Sequence, residues 1–247
     1  MRKIVVITDC VDVAWNEIRG AIYAHAGEQD VQIEPVIRVD SYNICHVNFL
    51  LKLIAEIYPE NTIISVIVNP LKERTERIIG ITNRKNIIFE GTNTGAFGWL
   101  IEDFGCKELY EIYDLGFVPF GGKYIHAPTV GKVVNGFDLK SLGTPFPIEK
   151  LRKIQIKEGT ILHIDNFGNL KLFHKFKKQP NEGDKIKVEV NGVRFDMQYS
   201  VRMMSNNDGE IIIYPGSSFG LTEIGIVRGN FAERFNVKIG DVVSIGE

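Results

Sequence analysis

The sequence has few of the features that mark disulfide-bonded, membrane-spanning or nucleic-acid-binding proteins. Its three cysteines, Cys10, Cys45 and Cys106, are odd in number and far apart, which fits neither a disulfide framework nor a metal site. No apolar run approaches the ~20 residues that a membrane span requires. The formal net charge is -2, which gives no indication of a nucleic-acid or anionic-membrane partner. The apolar run after Met1 is too short for a signal peptide, so we expect a cytoplasmic protein.

The motifs of several common enzyme classes are also missing. The chain has no P-loop, no G-x-G-x-x-G fingerprint and no G-x-S-x-G nucleophile elbow. Its five histidines show no metal-ligand spacing. These absences give no support to nucleotide hydrolysis on a P-loop, to ordinary dinucleotide binding or to a serine-nucleophile triad.

The first half of the chain alternates strand-like and helix-like patterns. The 247 residues, 44% of them hydrophobic, are enough for one large or two modest globular domains. Apolar runs of β-type composition predict strands at 3–8, 32–39, 62–68 and 86–89. Helical periodicity predicts helices at 13–26 and 43–57, and the start of another at 95–100. This alternation predicts an α/β domain with a mostly parallel sheet.

The second half consists of short strand-like runs separated by turn residues. In "VEVNGVRF", the pair Asn191-Gly192 predicts a two-residue β-hairpin turn. Further strands are predicted at 159–164, 169–173, 210–214, 222–227 and 242–245. We therefore predict an N-terminal α/β domain over 1–150, which includes a Pro- and Gly-marked connection at 127–150. An all-β, barrel-like domain is predicted over 151–247.

Two polar positions follow predicted strands of the first half. Asp9 follows the first strand, and in open α/β sheets ligands bind beyond the carboxyl ends of the strands. Its carboxylate can accept hydrogen bonds from a ribose diol, or it can cap the following helix, where Asp12 competes with it. Asn69 follows the third strand in a loop that contains Lys72 and Arg74. This loop can position an anion or a polarised water, or it can be a solvated surface loop.

The stretch "LHIDNFGNLKLF" at 162–173 places polar residues between two apolar runs. If Asp165, Phe167 and Asn169 share one face of a strand, they present a carboxylate, an aromatic ring and an amide in a row. The carboxylate would pair with an ammonium group, a purine would stack on the ring, and the amide would bond to the purine edge. The alternative is a turn over 165–169. A second polar segment, 90–95, is either a ligand loop or only a turn.

Several motifs of this chain are similar to those of one known family. "IDNFGNL" looks like I-D-x-F-G-N-L, and "SSFGLTEIGIVRGNFAERFNVKIGDVV" resembles an N-S-F-G-x-L-E-I-A…G-x-A-A…G-D ending. "ITD" at 7–9, "IRG" at 18–20 and "YPENTIISVIVNP" fit the N-terminal pattern. Over nearly its whole length the chain therefore resembles the S-adenosyl-L-methionine hydroxide adenosyltransferase family. Relatives of this family form carbon–fluorine and carbon–chlorine bonds from S-adenosylmethionine (SAM).

The resemblance implies a substrate site for SAM whose residues come from both halves of the chain. Asp9 would hold the ribose hydroxyls, Asp165 would pair with the methionine ammonium, and Ser218 would contact the methionine carboxylate. The adenosine part would be bordered by the ring of Phe167, the amide of Asn169, a second ring at Tyr199, and the segment with Arg228 and Asn230. No metal or organic cofactor is implied, because SAM is the substrate. In the family each site lies between neighbouring subunits of a homotrimer.

The match breaks at positions that surround the attacking water in the family's hydrolases. The family segment V-D-P-G-V-G-[ST]-x-R is "VNPLKERTER" here, with Asn69 in place of the Asp and Arg77 as the arginine. The His of F-H-G-R-D is Gly121 in "FGGKYIHAP", although His126 lies nearby in sequence. An acid of the family's P-D-N-G is likewise replaced by Asn93.

These replacements leave three functional hypotheses. An amide cannot act as a general base, a role that typically contributes ~10²–10⁴-fold, but positioning and desolvation of the nucleophile supply much of such a reaction. The first hypothesis is a SAM hydrolase that forms adenosine, in which Arg77 and Asn69 position the water. The second is an enzyme that uses a halide or another anion, because loss of the carboxylate removes repulsion toward an anion. The third is a non-catalytic protein that binds SAM or adenosine.

Overall fold

The chain folds into two compact units in the computed structural model, which describes residues 2–69, 71–113 and 116–246. One unit spans Met1–Ile154 and the other spans Gln155–Glu247. Each unit has its own sheet and its own buried apolar core. Among the described residues, no helix combines the length and the apolar composition needed to cross a bilayer.

The first unit is built on an eight-stranded mixed sheet. Its strands are β1 (Arg2–Thr8), β2 (Val31–Ile33), β3 (Ile37–Arg38), β4 (Ile63–Ile67), β5 (Arg77–Ile81), β6 (Ile88–Thr92), β7 (Glu108–Ile112) and β8 (Gly143–Pro145). The strand order is β2-β1-β4-β6-β5-β7-β8, and β3 also pairs with β1. Every residue of β4 and of β6 is buried, which explains the near-continuous β-branched sequence of β4.

The strands of this sheet run in both directions, which corrects the prediction of a mostly parallel sheet. β1 is parallel to β2, β3 and β4, and β4 is parallel to β6. β5 is antiparallel to both β6 and β7, and β7 is antiparallel to β8. The apolar pattern of a strand does not encode its direction, and the short connection between β5 and β6 suits only an antiparallel pair. The parallel part still brings the carboxyl ends of β1, β4 and β6 to one edge.

Helices pack on this sheet. They are α1 (Val13–His25), α2 (Ile44–Ile57), α3 (Gly98–Phe104) and α4 (Ala127–Val134), with a π-helical turn at Gly122–His126 and 3-10 turns at Leu139–Ser141 and Ile148–Lys150. Asn43 caps α2, because its side chain accepts a hydrogen bond from His46 N at 3.0 Å. The segment 127–150, predicted as a connection, instead contains α4 and β8. Val130 and Val133 of α4 are buried in the core of this unit.

The second unit is a curled seven-stranded sheet with one short helix. Its elements are β9 (Ile161–Ile164), β10 (Leu170–Leu172), β11 (Lys185–Val190), β12 (Val193–Tyr199), β13 (Ile211–Pro215), β14 (Thr222–Ile226), β15 (Ser244–Ile245), α5 (Phe231–Phe235) and a 3-10 turn at Met203–Ser205. The order is β15-β11-β12-β13-β14-β10-β9, and only β12 and β13 pair in parallel. The two sheet edges meet through hydrogen bonds from Ile161 N to Asp241 O (2.8 Å) and from Val243 N to Gly159 O (2.9 Å). Because α5 contributes Phe231 to the core, the unit is not all-β.

The hairpin predicted at Asn191-Gly192 is confirmed. Val190 pairs with Val193 in the ladder of β11 and β12. Asn191 and Gly192 have φ angles of 49° and 77°, the left-handed conformation that this two-residue turn requires.

Candidate active site

A polar cleft of about 580 Å³ lies at the edge of the first sheet where parallel strands end. It is lined by Asp9 and Cys10 after β1, by Asn69 after β4, and by Thr92 at the end of β6. Arg77 at the start of β5 also lines it. Since β5 is antiparallel to β6, its first residue pairs with the last residue of β6. The fold therefore brings together three residues predicted from the sequence, Asp9, Asn69 and Arg77.

The carboxylate of Asp9 is oriented by a backbone amide and does not cap α1. Its Oδ2 accepts a hydrogen bond from Tyr42 N at 3.1 Å. The N-cap position of α1 belongs to Asp12, whose side chain makes no capping hydrogen bond. The carboxylate retains lone pairs beyond the one that Tyr42 occupies. Burial raises the pKa of the neighbouring Cys10 thiol, which is therefore protonated at neutral pH.

Asn69 and the basic loop that follows it border the same cleft. Asn69 is exposed, and its Oδ1 accepts a hydrogen bond from Leu71 N at 2.9 Å, which forms an Asx turn. Lys72 and Arg74 also line the cleft. With Glu73 between them, the loop brings two positive charges and one negative charge to the place where β4 ends. Pro70 lies outside the described residues.

The Arg77 guanidinium lies against the backbone of Gly121. A Cβ atom built on Gly121 would lie 3.3 Å from Arg77 Nη2, so a larger side chain there would displace the guanidinium. The positions that the resemblance equates with the hydrolases' Arg and His are therefore neighbours in space. In this chain the absence of a side chain at position 121 gives the arginine room.

A buried carboxylate–imidazole pair, which the sequence patterns did not identify, also reaches this cleft. Glu90 in the centre of β6 is completely buried, and His126 is 4% exposed. Glu90 Oε1 is hydrogen-bonded to His126 Nδ1, and Glu90 Oε2 accepts a hydrogen bond from Ser65 Oγ at 2.6 Å. His126 Nε2 lies 3.4 Å from Thr92 Oγ1. Both His126 and Thr92 line the cleft.

One signal in the sequence points to half of this pair. Glu90 interrupts the apolar run "NIIFEGT", and a carboxylate in a strand that is buried on both faces requires a partner. The partner itself is not predictable from spacing. His126 is 36 residues away and meets Glu90 only because the π-helical turn before α4 packs against the sheet.

The segment 90–95 joins parts of the first unit through Asn93, which is 1% exposed. Asn93 Nδ2 donates hydrogen bonds to Glu76 Oε2 and to Lys150 O, both at 3.2 Å, and its Oδ1 accepts from Arg152 N at 2.9 Å. The Glu76 carboxylate accepts a hydrogen bond from the backbone N–H of Glu76 and others from the side chains of Asn93 and Thr75, and these lower its pKa. Asn93 therefore ties the loop after β6 to the segment 150–152.

In the second unit, residues 165–169 form a turn between β9 and β10. Asp165 Oδ1 accepts hydrogen bonds from Phe167 N and Asn169 N, both at 2.9 Å, and its Oδ2 accepts from Asn169 Nδ2 at 3.0 Å. Gly168, with a φ of 82°, permits the chain reversal. Of the two interpretations that the sequence leaves open, the turn is therefore confirmed and the single strand face is not, because the Asp side chain organises a local turn. This turn leaves Phe167 68% exposed.

Asn169 and Asn230 pack around this turn. A Cβ atom on Gly168 would lie only 1.9 Å from Asn230 Oδ1, and Ala232 N donates to Gly168 O at 3.1 Å. Asn230 also caps α5 by accepting a hydrogen bond from Glu233 N at 2.9 Å. Asn169 is buried, and its Oδ1 has no hydrogen-bond partner among the described residues. This oxygen lies against the backbone of Gly225, where an added Cβ atom would be only 2.2 Å from it.

The other three predicted contacts of this unit have different surroundings. Ser218 is buried in the turn between β13 and β14, and Arg228 is exposed with its Nη1 3.5 Å from Asp208 Oδ2. Tyr199 is completely buried in the core and packs edge-on against Phe176 at a centroid distance of 5.8 Å. The Tyr199 ring is enclosed by core side chains, so the predicted second stacking ring is corrected to a core residue.

A row of polar side chains crosses four strands of the second unit. His163, Lys171, Glu223 and Tyr214 are successive register partners on β9, β10, β14 and β13. Lys171 Nζ pairs with Glu223 Oε1. Burial, and next the positive charge of Lys171, lower the pKa of His163, while Asp165 and Glu223 oppose this shift. Burial and then Glu223 raise the pKa of Tyr214. At neutral pH His163 and Tyr214, the two ends of the row, are therefore uncharged.

A cleft beyond the carboxyl ends of parallel strands is typical of α/β proteins that bind small molecules. Within the part of the chain that the structure describes, no group of three or more His, Cys, Asp or Glu side chains could hold a metal ion. The chain belongs to the SAM hydroxide adenosyltransferase family. Residues 4–143 match the model of the family's N-terminal domain, and residues 159–244 match that of its C-terminal domain. The resemblance found in the sequence motifs is therefore confirmed.

Named relatives are distant in sequence. Over 200 residues the chain is 25% identical to the (R)-S-adenosyl-L-methionine hydrolase of Thermus thermophilus, an alignment that covers 74% of each chain. Over 137 residues it is 24% identical to the enzyme of the same name from Methanocaldococcus jannaschii, covering 53% of this chain and 49% of that one. The second alignment thus spans about half of the archaeal relative.

Two crystal structures share the fold. An uncharacterized conserved protein from Thermotoga maritima superposes with a TM-score of 0.85 at 20% identity, over 98% of this chain and 100% of that one. A conserved hypothetical protein from Thermus thermophilus gives a TM-score of 0.77 at 20% identity, over 100% of both chains. At this identity the likeness concerns the fold alone.

Proposed function

We propose that this protein hydrolyses SAM to adenosine and L-methionine by displacement at C5′ of the ribose. The observation that carries the proposal is the convergence of Asp9, Asn69 and Arg77 in one cleft of the family's N-terminal domain. The names of the two hydrolase relatives support the same activity. SAM is the substrate, no metal or organic cofactor is required, and the reaction takes place in the cytoplasm.

Each of the three cleft side chains has a distinct proposed role. Asp9 accepts hydrogen bonds from the ribose hydroxyls, and the Tyr42 amide orients its carboxylate for this. The Arg77 guanidinium and the Asn69 Nδ2 group hold the attacking water, while Asn69 Oδ1 remains in its Asx turn. Holding the water in line with the bond that breaks makes the displacement effectively unimolecular.

The leaving group of this displacement requires little catalytic assistance. The water oxygen forms a bond to C5′ while the C5′–S bond breaks, and the electron pair of that bond stays on sulfur. Sulfur thereby becomes the neutral thioether of methionine, and one water proton is released. Alignment and desolvation of the nucleophile supply the remaining rate enhancement.

The second unit is proposed to bind the methionine and adenine ends of SAM. Asp165 pairs with the ammonium group, and Ser218 contacts the methionine carboxylate. The exposed ring of Phe167 supports a contact with adenine, and the Asn169 amide is assigned to the adenine edge. The remaining adenine contacts are assigned to the segment with Arg228 and Asn230.

We further propose that these two sets of residues meet between neighbouring copies in a homotrimer. The N-terminal unit of one subunit would provide the ribose and water contacts, and the C-terminal unit of the next would provide the others. Sedimentation should then give a mass of three times 27.9 kDa. A fully active monomer would contradict this arrangement.

The direct test of the function is a product analysis. Purified protein is incubated with SAM, and the nucleosides and amino acids are separated by chromatography and identified by mass spectrometry. We expect adenosine and L-methionine in equal amounts, above a protein-free background. A protein that leaves SAM unchanged contradicts hydrolysis, and saturable SAM binding in that case identifies a binding protein.

One observation favours a second candidate, an enzyme that uses a halide or another anion. Lys72, Arg74 and Arg77 line the cleft together with the carboxylates of Asp9 and Glu73, and Asn69 adds no further negative charge to it. The cations outnumber the carboxylates by one, and this excess favours an anion. The same incubation with sodium chloride in place of sodium acetate separates the two candidates. A 5′-chlorinated nucleoside supports the second, and products that do not change with chloride contradict it for this ion.

A further inference from the structure

The Glu90–His126 pair has the geometry of an oriented proton acceptor. One carboxylate oxygen of Glu90 is bonded to His126 Nδ1, and the other accepts from Ser65 Oγ at 2.6 Å. Both oxygens are engaged, so the carboxylate is fixed in the sheet. An ionised carboxylate only accepts hydrogen bonds, so the proton of a neutral imidazole is on Nδ1. Nε2 is then a hydrogen-bond acceptor, and it faces the hydroxyl of Thr92.

This acceptor nitrogen belongs to the cleft that contains the proposed reaction. His126 Nε2 lies 3.4 Å from Thr92 Oγ1, and both residues line the cleft. Thr92 in turn pairs with Arg77 across β5 and β6. The imidazole therefore contacts the register partner of the arginine that is proposed to hold the water, and both side chains line the same cleft.

A purely structural role explains this pair poorly. β6 is buried along its whole length, and Ile88 and Phe89 show that the strand accepts apolar side chains. Replacing a buried ion pair with apolar residues of similar volume is often neutral or stabilising. Buried carboxylate–histidine pairs at a cleft are characteristic of sites where protons move.

We propose that His126, oriented by Glu90, is the general base of the displacement. The inference rests on the proposed SAM hydrolysis. As the water oxygen bonds to C5′ and the C5′–S electron pair leaves with sulfur, the water proton passes to His126 Nε2. The imidazolium later releases this proton to solvent. The pair thereby supplies the base that Asn69 and Gly121 do not provide.

The charged groups around this imidazole come from several elements. Glu90 on β6 contacts it directly, and Arg77 on β5 and Asp9 after β1 line the same cleft. The loop after β4 adds Lys72, Glu73 and Arg74 to this lining. On its own π-helical turn, Lys123 is paired with Glu17 of α1 at 2.6 Å.

The test compares wild-type protein with His126→Gln and Glu90→Gln over a range of pH. His126→Gln should lower kcat by ~10²-fold or more with a KM for SAM within about threefold of wild type, and should abolish the acidic limb of the kcat profile. Glu90→Gln should retain that limb and lower kcat by a smaller factor, because the imidazole loses the carboxylate that orients it. A role in folding alone would not abolish the limb in His126→Gln.

The matched control is His174→Gln in the second unit. His174 is also a buried histidine, and its Nδ1 lies 2.8 Å from Thr222 Oγ1. This variant should keep the wild-type kcat and pH profile. Equal losses in His126→Gln and His174→Gln, or an acidic limb that persists in His126→Gln, contradict the assignment while leaving hydrolysis intact. A wild-type protein that forms no adenosine contradicts both proposals. If His126→Gln does not fold, the kcat of Glu90→Gln decides, and a wild-type kcat contradicts the assignment.

Discussion

Arg77 is the side chain on which the proposed displacement depends most directly. Its guanidinium lies against the backbone of Gly121, and its backbone pairs with Thr92 across β5 and β6. Arg77→Ala removes a charged donor from the water, and we expect kcat to fall by ~10²-fold. Arg77→Lys keeps the charge but loses the planar guanidinium, so its rate should lie between those of the wild type and Arg77→Ala. Initial rates of adenosine formation, measured by chromatography, check this order.

Arg194→Ala is the control for this series. Arg194 is exposed on β12 and pairs with Glu189 at 2.8 Å, in the second unit. Its removal should leave the rate unchanged. If Arg77→Ala is as active as Arg194→Ala, Arg77 has no part in the reaction.

The predictable part of the cleft is the part that lies next to strand ends. Asp9 and Asn69 were identified because each follows an apolar run, and Arg77 because it lies in a recognisable motif. The Glu90–His126 contact was not predictable, since its members are 36 residues apart and neither belongs to a repeating pattern. The prediction that Tyr199 stacks on the purine was wrong for a different reason. An aromatic residue in a strand looks the same in sequence whether its ring faces a ligand or the core.

At the scale of elements, Asn93 joins the loop after β6 to the segment 150–152. Asn93→Asp replaces a donor with a carboxylate that faces the Glu76 carboxylate and Lys150 O. We expect the free energy of unfolding to fall by ~1–3 kcal/mol, because buried acceptors lose their donor. Urea denaturation followed by circular dichroism measures the change.

The matched control for this prediction is Asn16→Asp on the exposed side of α1. Asn16 is exposed; its Nδ2 donates to Asp12 O and its Oδ1 accepts from Arg19 Nη2, both at 3.3 Å. An exposed change of this kind should alter stability by less than ~0.5 kcal/mol. Equal effects at both positions would show that the Asn93 hydrogen bonds contribute nothing.

The start of α5 provides a second prediction at this scale. Asn230 caps the helix through Glu233 N and packs against Gly168 of the 165–169 turn. Asn230→Ala should reduce the stability of the second unit by ~1 kcal/mol, whereas Asn230→Ser should recover most of this loss by restoring a cap. Thermal melting of the three proteins tests the order. A Ser variant no more stable than the Ala variant would contradict the capping role.

Elements were predictable where local chemistry determines them. The apolar runs of β1 and β4, the stripe of α2 and the turn at Asn191-Gly192 each contain their own signal. The directions of β5, β7 and β8 were not predictable, because the same apolar pattern suits a parallel or an antiparallel neighbouring strand. The turn at 165–169 was one of two open interpretations. The structure shows the turn, in which the Asp165 carboxylate accepts hydrogen bonds from the backbone amides of Phe167 and Asn169.

At the scale of the whole molecule, stability should depend on pH through His163. Burial and Lys171 lower the pKa of this imidazole in the folded state. The unfolded chain therefore binds a proton more readily, near the usual value of about 6.5. The stabilising contribution is present above that pH and is lost as the pH falls. His163→Gln should flatten the decline in the free energy of unfolding between pH 7.5 and 5.5, measured by urea titration. Identical slopes for the two proteins would contradict this assignment.

The measurement that tests the central claim most directly is the reaction run in water enriched in oxygen-18. If water attacks C5′, every adenosine molecule formed has the label in its 5′-hydroxyl oxygen, and the L-methionine released has none. Mass spectrometry of the separated products reads both positions in one experiment. We expect singly labelled adenosine from the wild-type protein. Unlabelled adenosine, a 5′-halogenated nucleoside or unchanged SAM would contradict it.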